Sequence, residues 1–266
     1  MTAEEIRGRL EGIRCFLLDM DGTFYLGDRL LEGSLSFLDK LAETGRSALF
    51  MTNNSSRSAD YYVQKLDRMG VPAAFRNVLT SGQAAGKYAL ARFAGQKGFL
   101  LGNDSFRSEL LGMGLLLDEQ CPEYVLIGYD TTLDYDKMTR VCDFVRQGLP
   151  YIATHPDFNC PTDGGYAPDI GAIIAFIEAS TGRRPDKILG KPNAGIVEEA
   201  LSRTGLSKED LAMVGDRLYT DIATGVNFGM TSILVLSGEA TLEDVETSPV
   251  KPHMIFQKLC DLNKYL

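Results

Sequence analysis

Asp19 and Asp21, two residues apart in the stretch FLLDMDGTFYLGD, are the carboxylates around which chemistry can be organised in this chain. They follow Phe16-Leu17-Leu18, a short apolar run of the kind that forms a strand buried on both faces, and they precede Gly22. The carboxyl edge of a central strand is where open α/β sheets bind ligands. Side chains at i and i+2 lean to the same side of an extended chain, so both carboxylates can address one substrate. Two carboxylates this close repel each other unless a cation sits with them or a proton separates them. A magnesium ion and a phosphoryl group would supply that balance. Taken alone, Asp-x-Asp-Gly is also an ordinary strand-end turn.

Three more signals stand in similar places. Thr52 and Asn53 close the apolar run SALFM, Lys191 lies in GKP, and Asp216 with Asp221 lies in VGDRLYTDI. The elements that must carry them alternate. A loop over 22–33 leads to an amphipathic helix with Leu35, Leu38 and Leu41 at helical spacing, stopped by Gly45. A strand over 47–53, a helix over 59–69 and a strand over 78–80 complete a βαβαβ series, the doubly wound pattern. After a helix over 83–93, a second alternating series follows: strands at 98–102, 124–127 and 151–153, with helices at 105–111 and 135–147. A loop rich in Gly, Pro and Asp is expected over 158–169, then a helix over 172–180. The last third resumes the first pattern, with a helix over 194–203, a strand over 211–214, a helix over 220–227, a strand over 232–236 and a C-terminal helix. The fold class expected is α/β: a doubly wound parallel-sheet core from residues 1–83 and 187–266, with an inserted α/β lobe over 84–186. That lobe of about 100 residues is of ordinary domain size.

Composition narrows the partners. The chain has 266 residues, 44% of them hydrophobic and 24% charged, which suits a globular protein with a sizeable core. A net charge of −9 and a pI near 4.9 weigh against a broad nucleic-acid surface or an anionic membrane partner. The charged N-terminus MTAEEIRGRLEGIR carries no signal-peptide core, and no run approaches a membrane span, so a cytoplasmic protein is expected. Five scattered cysteines without a CxxC pair indicate neither a disulfide framework nor a zinc site.

Together the four motifs, in this order, resemble the haloacid dehalogenase superfamily of phosphotransferases over nearly the whole chain. More narrowly, DMDGTFYLGD, TNNS, LGKPN, VGDRLYTDI and ILVLSGEAT resemble its NagD-type or p-nitrophenylphosphatase branch, which inserts a cap domain between the Thr and Lys motifs. The resemblance implies a phosphatase acting on a small phosphate ester. Asp19 would be the nucleophile that forms an aspartyl-phosphate, and Asp21 the acid that protonates the leaving alkoxide and then deprotonates water. The family's metal set implies Mg²⁺ on an Asp19 oxygen, the Asp21 backbone carbonyl, Asp216 and waters, with Asp221 near those waters. Thr52 and the Asn53 backbone or amide would hold phosphoryl oxygens, and Lys191 would neutralise charge between the phosphate and Asp19. Caps of this type often pair, which implies a homodimer through the cap.

Two positions depart from the branch. It usually has Thr-Asn-Pro-Asp where this chain has Thr154-His155-Pro156-Asp157, and a small residue where Asp169 stands. These segments face substrate in relatives, so His155, Asp157 and Asp169 are candidates for substrate specificity. For His155 the reading leans to a surface loop histidine. A dinucleotide site is set aside, since no G-x-G-x-x-G follows the first strand, and GQAAGKY at 82–88 is a poor Walker loop with Tyr88 where Ser or Thr is needed. The rivals within reach of the motifs are a phosphomutase and a non-catalytic sensor of a phosphometabolite.

Overall fold

The computed structural model describes residues 1–162 and 164–266. They group into two compact units, the first formed by Met1–Thr52, Asp60–Leu79 and Ala200–Leu266, the second by Asn53–Ala59 and Thr80–Glu199. The expected division at 83/84 and 186/187 differs from this one in assigning residues 53–59, 80–83 and 187–199 to the core.

The first unit is built on a six-stranded sheet in the order Met254–Phe256, Thr231–Val235, Leu211–Gly215, Cys15–Leu18, Ser47–Thr52, Val78–Thr80. The strand Cys15–Leu18 lies at its centre and runs parallel to both neighbours, with Leu18 opposite Val214 on one side and Phe50 on the other. Its four residues are buried, as the unbroken apolar run requires when helices cover both faces. Because the chain leaves this strand toward one side and returns on the other, the ends of Cys15–Leu18, Ser47–Thr52 and Leu211–Gly215 share one edge.

The second unit has its own five-stranded parallel sheet, in the order Lys187–Ile188, Tyr151–Ala153, Tyr124–Ile127, Lys97–Leu101, Leu116–Leu117. Phe99, Val125, Ile127, Tyr151 and Ala153 pack there with Val141 and Val145 of the helix Tyr135–Arg146 and with Ile170, Ile173 and Ile177 of the helix Ile170–Thr181. Both units are thus α/β with parallel sheets, as the alternating pattern predicts. Among the described residues no helix is long and apolar enough to cross a membrane.

Local differences from the sequence reading have physical causes. The stretch 158–169 is not simply loop: Asn159–Thr162 pairs antiparallel with Gly165–Pro168. Period-2 pairing over so few residues is hidden by the Gly, Pro and Asp content on which a composition argument rests, and Asp163 of the expected loop lies outside the described residues. The loop 22–33 likewise holds a small hairpin, Tyr25–Leu26 with Arg29–Leu30. The C-terminal helix is replaced by a short helix Leu242–Thr247, the strand Met254–Phe256 and a 3₁₀ turn Leu259–Leu262. Pro249 and Pro252 lie between the helix and the strand, since proline lacks the N–H a continuing helix needs. The helix expected over 220–227 is a π-helical turn, Leu218–Ile222, running into Ala223–Asn227.

Candidate active site

In the first unit, Asp19 leaves the central strand with its N–H still donating to Val214 O (2.9 Å), which keeps its position tied to the sheet edge. The chain then turns tightly: Phe24 N donates to Met20 O (2.9 Å) and Gly22 N to Tyr25 O (2.8 Å). Gly22 has φ +85°, and a Cβ placed there would collide with the Asp216 carboxylate. Only glycine meets both demands. Asp216 itself follows Leu211–Gly215, the other neighbour of the central strand, and is buried. Its Oδ1 accepts from Thr23 Oγ1 (3.2 Å) and its Oδ2 from Glu239 N (2.8 Å). Asp221 is fully buried on the π-helical turn, where its Oδ2 accepts from Arg217 N (3.1 Å).

Asp19, Asp216 and Asp221 each present a carboxylate oxygen, and the three oxygens lie within 4.8 Å of one another. Such a cluster is costly without a positive charge. Burial, with the Asp221 carboxylate adding to it, pushes the Asp216 carboxyl up to about 6. All the donors are oxygens, the set a hard divalent cation prefers. The residues present therefore fit such an ion.

Asp21 is solvent-exposed at its surface, yet the protein packed around its carboxyl raises it above the ordinary carboxylate range. Lys65, the Gly27 backbone N–H and Arg217 pull in the opposite direction. Two of these groups escape sequence reasoning. Arg217 directly follows Asp216. Burial disfavours its charge, but Asp19, Tyr219, Glu239 and Asp221 hold it protonated. Its Nε lies 2.9 Å from Glu239 Oε2 as an ion pair rather than a directed hydrogen bond. Lys65 sits on the helix Ala59–Arg68 with its Nζ 3.9 Å over the Tyr25 ring and 3.8 Å from Asp28 Oδ1. Nothing in a helical lysine marks it for this; the only signal for Arg217 is its place inside VGDRLYTDI. Thr52 ends the strand Ser47–Thr52, two residues past the Phe50 that pairs with Leu18, and is buried on the same edge.

The second unit gathers the rest. Lys191 and Asn53 are both buried there. Asn53 Oδ1 accepts from Lys191 N (2.8 Å) while its Nδ2 donates to Lys191 O (2.9 Å) and to the Asp157 carboxylate (3.2 and 3.1 Å). His155 is not a surface residue. It is fully buried, with Nδ1 3.0 Å from Thr154 Oγ1 and Nε2 3.0 Å from Asp169 Oδ1. Its position one residue past Thr154 places it at the sheet, because the Thr154 N–H still donates to Ile127 O (3.0 Å) and so prolongs the pairing of the strand Tyr151–Ala153 with the central strand Tyr124–Ile127. Asp169 is buried too and caps the helix Ile170–Thr181, accepting from Ile170 N (2.7 Å). The three specificity candidates thus carry bonds inside the second unit. Asp169→Gly removes both the cap and the partner of His155, and is expected to cost about 1–3 kcal/mol of stability, read by denaturant unfolding.

Residues 16–116 match the family model of haloacid dehalogenase-like hydrolases, and residues 188–262 match a HAD-hydrolase-like model. An acid sugar phosphatase of Staphylococcus aureus is 36% identical over 247 residues, covering 92% of this chain and 95% of that protein. The crystal structure of a 4-nitrophenylphosphatase from Thermotoga maritima is 48% identical, with a TM-score of 0.92 over 96% of this chain and 98% of that one. A glycerol phosphate phosphatase of Mycobacterium tuberculosis, solved in complex with magnesium, is 28% identical with a TM-score of 0.86, over 96% of this chain and 77% of that one. With motifs, parallel-sheet fold and relatives in agreement, the chain belongs to the haloacid dehalogenase-like hydrolases, as a phosphatase of the NagD and 4-nitrophenylphosphatase type.

Proposed function

We propose that this protein hydrolyses small phosphomonoesters, with sugar phosphates among them, in a magnesium-dependent reaction through an aspartyl-phosphate on Asp19. The observation that carries the reading is the cluster of Asp19, Asp216 and Asp221 oxygens at the end of the central strands. A carboxylate nucleophile set among buried acids needs its charge balanced before an anionic substrate can approach. An Asp19 oxygen, the Asp21 backbone carbonyl and Asp216 would hold Mg²⁺, with Asp221 beside its waters. When bound, the ion supplies positive charge to the phosphoryl oxygens and orients the phosphate against Asp19.

In the first step an Asp19 oxygen bonds to phosphorus as the bond to the ester oxygen breaks. Asp21 gives its proton to that leaving oxygen. The upward push on the Asp21 carboxyl suits a group that must carry a proton before it donates one. In the second step Asp21 takes a proton from water, water oxygen bonds to phosphorus, and Asp19 departs as a carboxylate. Lys191 neutralises phosphoryl charge, and Thr52 Oγ1 donates to a phosphoryl oxygen. For Asn53 the backbone N–H is the better candidate, because its side-chain amide is already engaged by Lys191 and Asp157. The first unit acts in this reading as the catalytic core and the second as the cap that bears on substrate choice.

The test is phosphate release from a panel containing 4-nitrophenyl phosphate, glycerol phosphate, hexose phosphates and a nucleotide, with and without Mg²⁺. Release that depends on Mg²⁺ supports the reading, and its ranking identifies the substrate class. Transfer of phosphate between sugar positions without release would replace it with a mutase.

A further inference from the structure

Asparagine at position 53 does something the motif does not announce. Its amide brackets the peptide groups of a single residue, Lys191, with Oδ1 taking the N–H (2.8 Å) and Nδ2 reaching the C=O (2.9 Å). The second Nδ2 hydrogen goes to Asp157, shared between its two oxygens (3.2 and 3.1 Å). This exhausts the amide's donors. It also fixes the amide's orientation, since the reverse would set NH₂ against the Lys191 N–H and a carbonyl against a carboxylate.

The approach is close because the neighbouring residue is glycine. A Cβ on Gly190 would lie 2.6 Å from Asn53 Oδ1 and 2.7 Å from Thr154 O. Asp157 is anchored in turn, its backbone oxygen accepting from Gly171 N (2.7 Å) in the first turn of the helix Ile170–Thr181. All four groups are buried, where a hydrogen bond is costly to leave unmade.

We propose that Asn53 and Asp157 are positioning residues for Lys191: the Asn53 amide clamps the lysine's own peptide groups, and Asp157 holds that amide in the only orientation that can do so. The inference rests on Lys191 being the lysine that neutralises phosphoryl charge. A long, flexible ammonium side chain contributes to a transition state only if its backbone origin is fixed, because small misplacements cost large factors in rate. Asp157, in the segment Thr154-His155-Pro156-Asp157, then serves the reaction from inside the fold rather than by touching the leaving group.

The experiment measures kcat, KM and inhibition by inorganic phosphate, with 4-nitrophenyl phosphate as substrate, for N53A, N53D, D157A, D157N, N53A/D157A and K191A. Positioning predicts that N53A and D157A each lower kcat by about 10- to 100-fold and that the double variant is no worse than N53A, since coupled residues fail to add. D157N keeps an acceptor oxygen for Nδ2 and should recover at least about fivefold over D157A. N53D cannot donate to either partner and should behave as N53A. Should D157A not fold, N53A/D157N takes the place of the double variant and should be no worse than N53A. Losses that multiply would overturn the proposal. So would an N53A variant with unchanged kcat but raised KM and a weakened phosphate inhibition, the signature of an amide that binds phosphate directly. K191A separates the two levels: a fully active K191A removes the underlying reading of the lysine, whereas an inactive K191A beside an unimpaired N53A removes the clamp alone.

Discussion

Asp19→Asn is expected to lower kcat by about 10⁴-fold or more while leaving the fold intact. The amide is nearly the same size as the carboxylate, and the backbone bond from Asp19 N to Val214 O does not involve the side chain. The variant should therefore unfold at a temperature close to that of the parent. What it loses is the proposed nucleophile: an amide oxygen does not form the acyl-phosphate bond on which that mechanism depends. Steady-state phosphate release and a thermal melt on the same preparation check both halves. A variant that keeps a tenth of the parent's turnover would remove Asp19 from the chemistry.

Asp216→Asn is expected to separate activity from stability in an informative way. If Asp216 holds Mg²⁺ as proposed, its loss should lower kcat in Mg²⁺ by about 10²- to 10³-fold, because the ion's charge is worth several kcal/mol to the transition state. Metal-free stability should move the other way with pH. The Asp216 carboxyl titrates at about 6 in the fold against an ordinary 3.8, so the fold favours its neutral form. Stability from this group is fully present below about pH 3.8 and is lost as pH rises through 6. The gap corresponds to about 3 kcal/mol. Asparagine is neutral throughout, so the difference in unfolding free energy should shift toward Asp216→Asn by that order between pH 4 and pH 7 in chelator. Losing the carboxylate as acceptor for Thr23 and the Glu239 N–H sets an offset that is independent of pH. A pH-independent difference between the two proteins would mean that Asp216 carries no such burden. Added Mg²⁺ should raise the melting temperature of the parent more than that of the variant.

The placement of several candidate residues at one sheet edge is legible in the sequence. Asp19, Thr52 and Asp216 were readable because each stands where an apolar run stops, and parallel strands in a doubly wound sheet bring their ends to one edge. The alternation of apolar runs and helical periodicity likewise carried the α/β class of both units. Other features were illegible for reasons that are local. The π-helical turn that sets Asp221 beside Arg217 leaves no composition signature, and a helical lysine such as Lys65 looks like any solvated charge until its partners Tyr25 and Asp28 are known. His155 misled because Thr-His-Pro-Asp has the residue types of a loop. Its buried state goes with the bond from Nε2 to Asp169, 14 residues on, which the four-residue window does not contain. The Asn53 clamp was hidden for the same reason, since its partners Asp157 and Lys191 lie more than 100 residues away in the chain.

The account stands or falls on whether this chain releases inorganic phosphate from an ester using Asp19 and a divalent ion. The direct measurement is phosphate release from 4-nitrophenyl phosphate by the parent protein and by Asp19→Asn, each in Mg²⁺ and in chelator. The predicted result is turnover by the parent in Mg²⁺ alone, with the other three conditions near background. Equal turnover in chelator, or substantial turnover by Asp19→Asn, would contradict it.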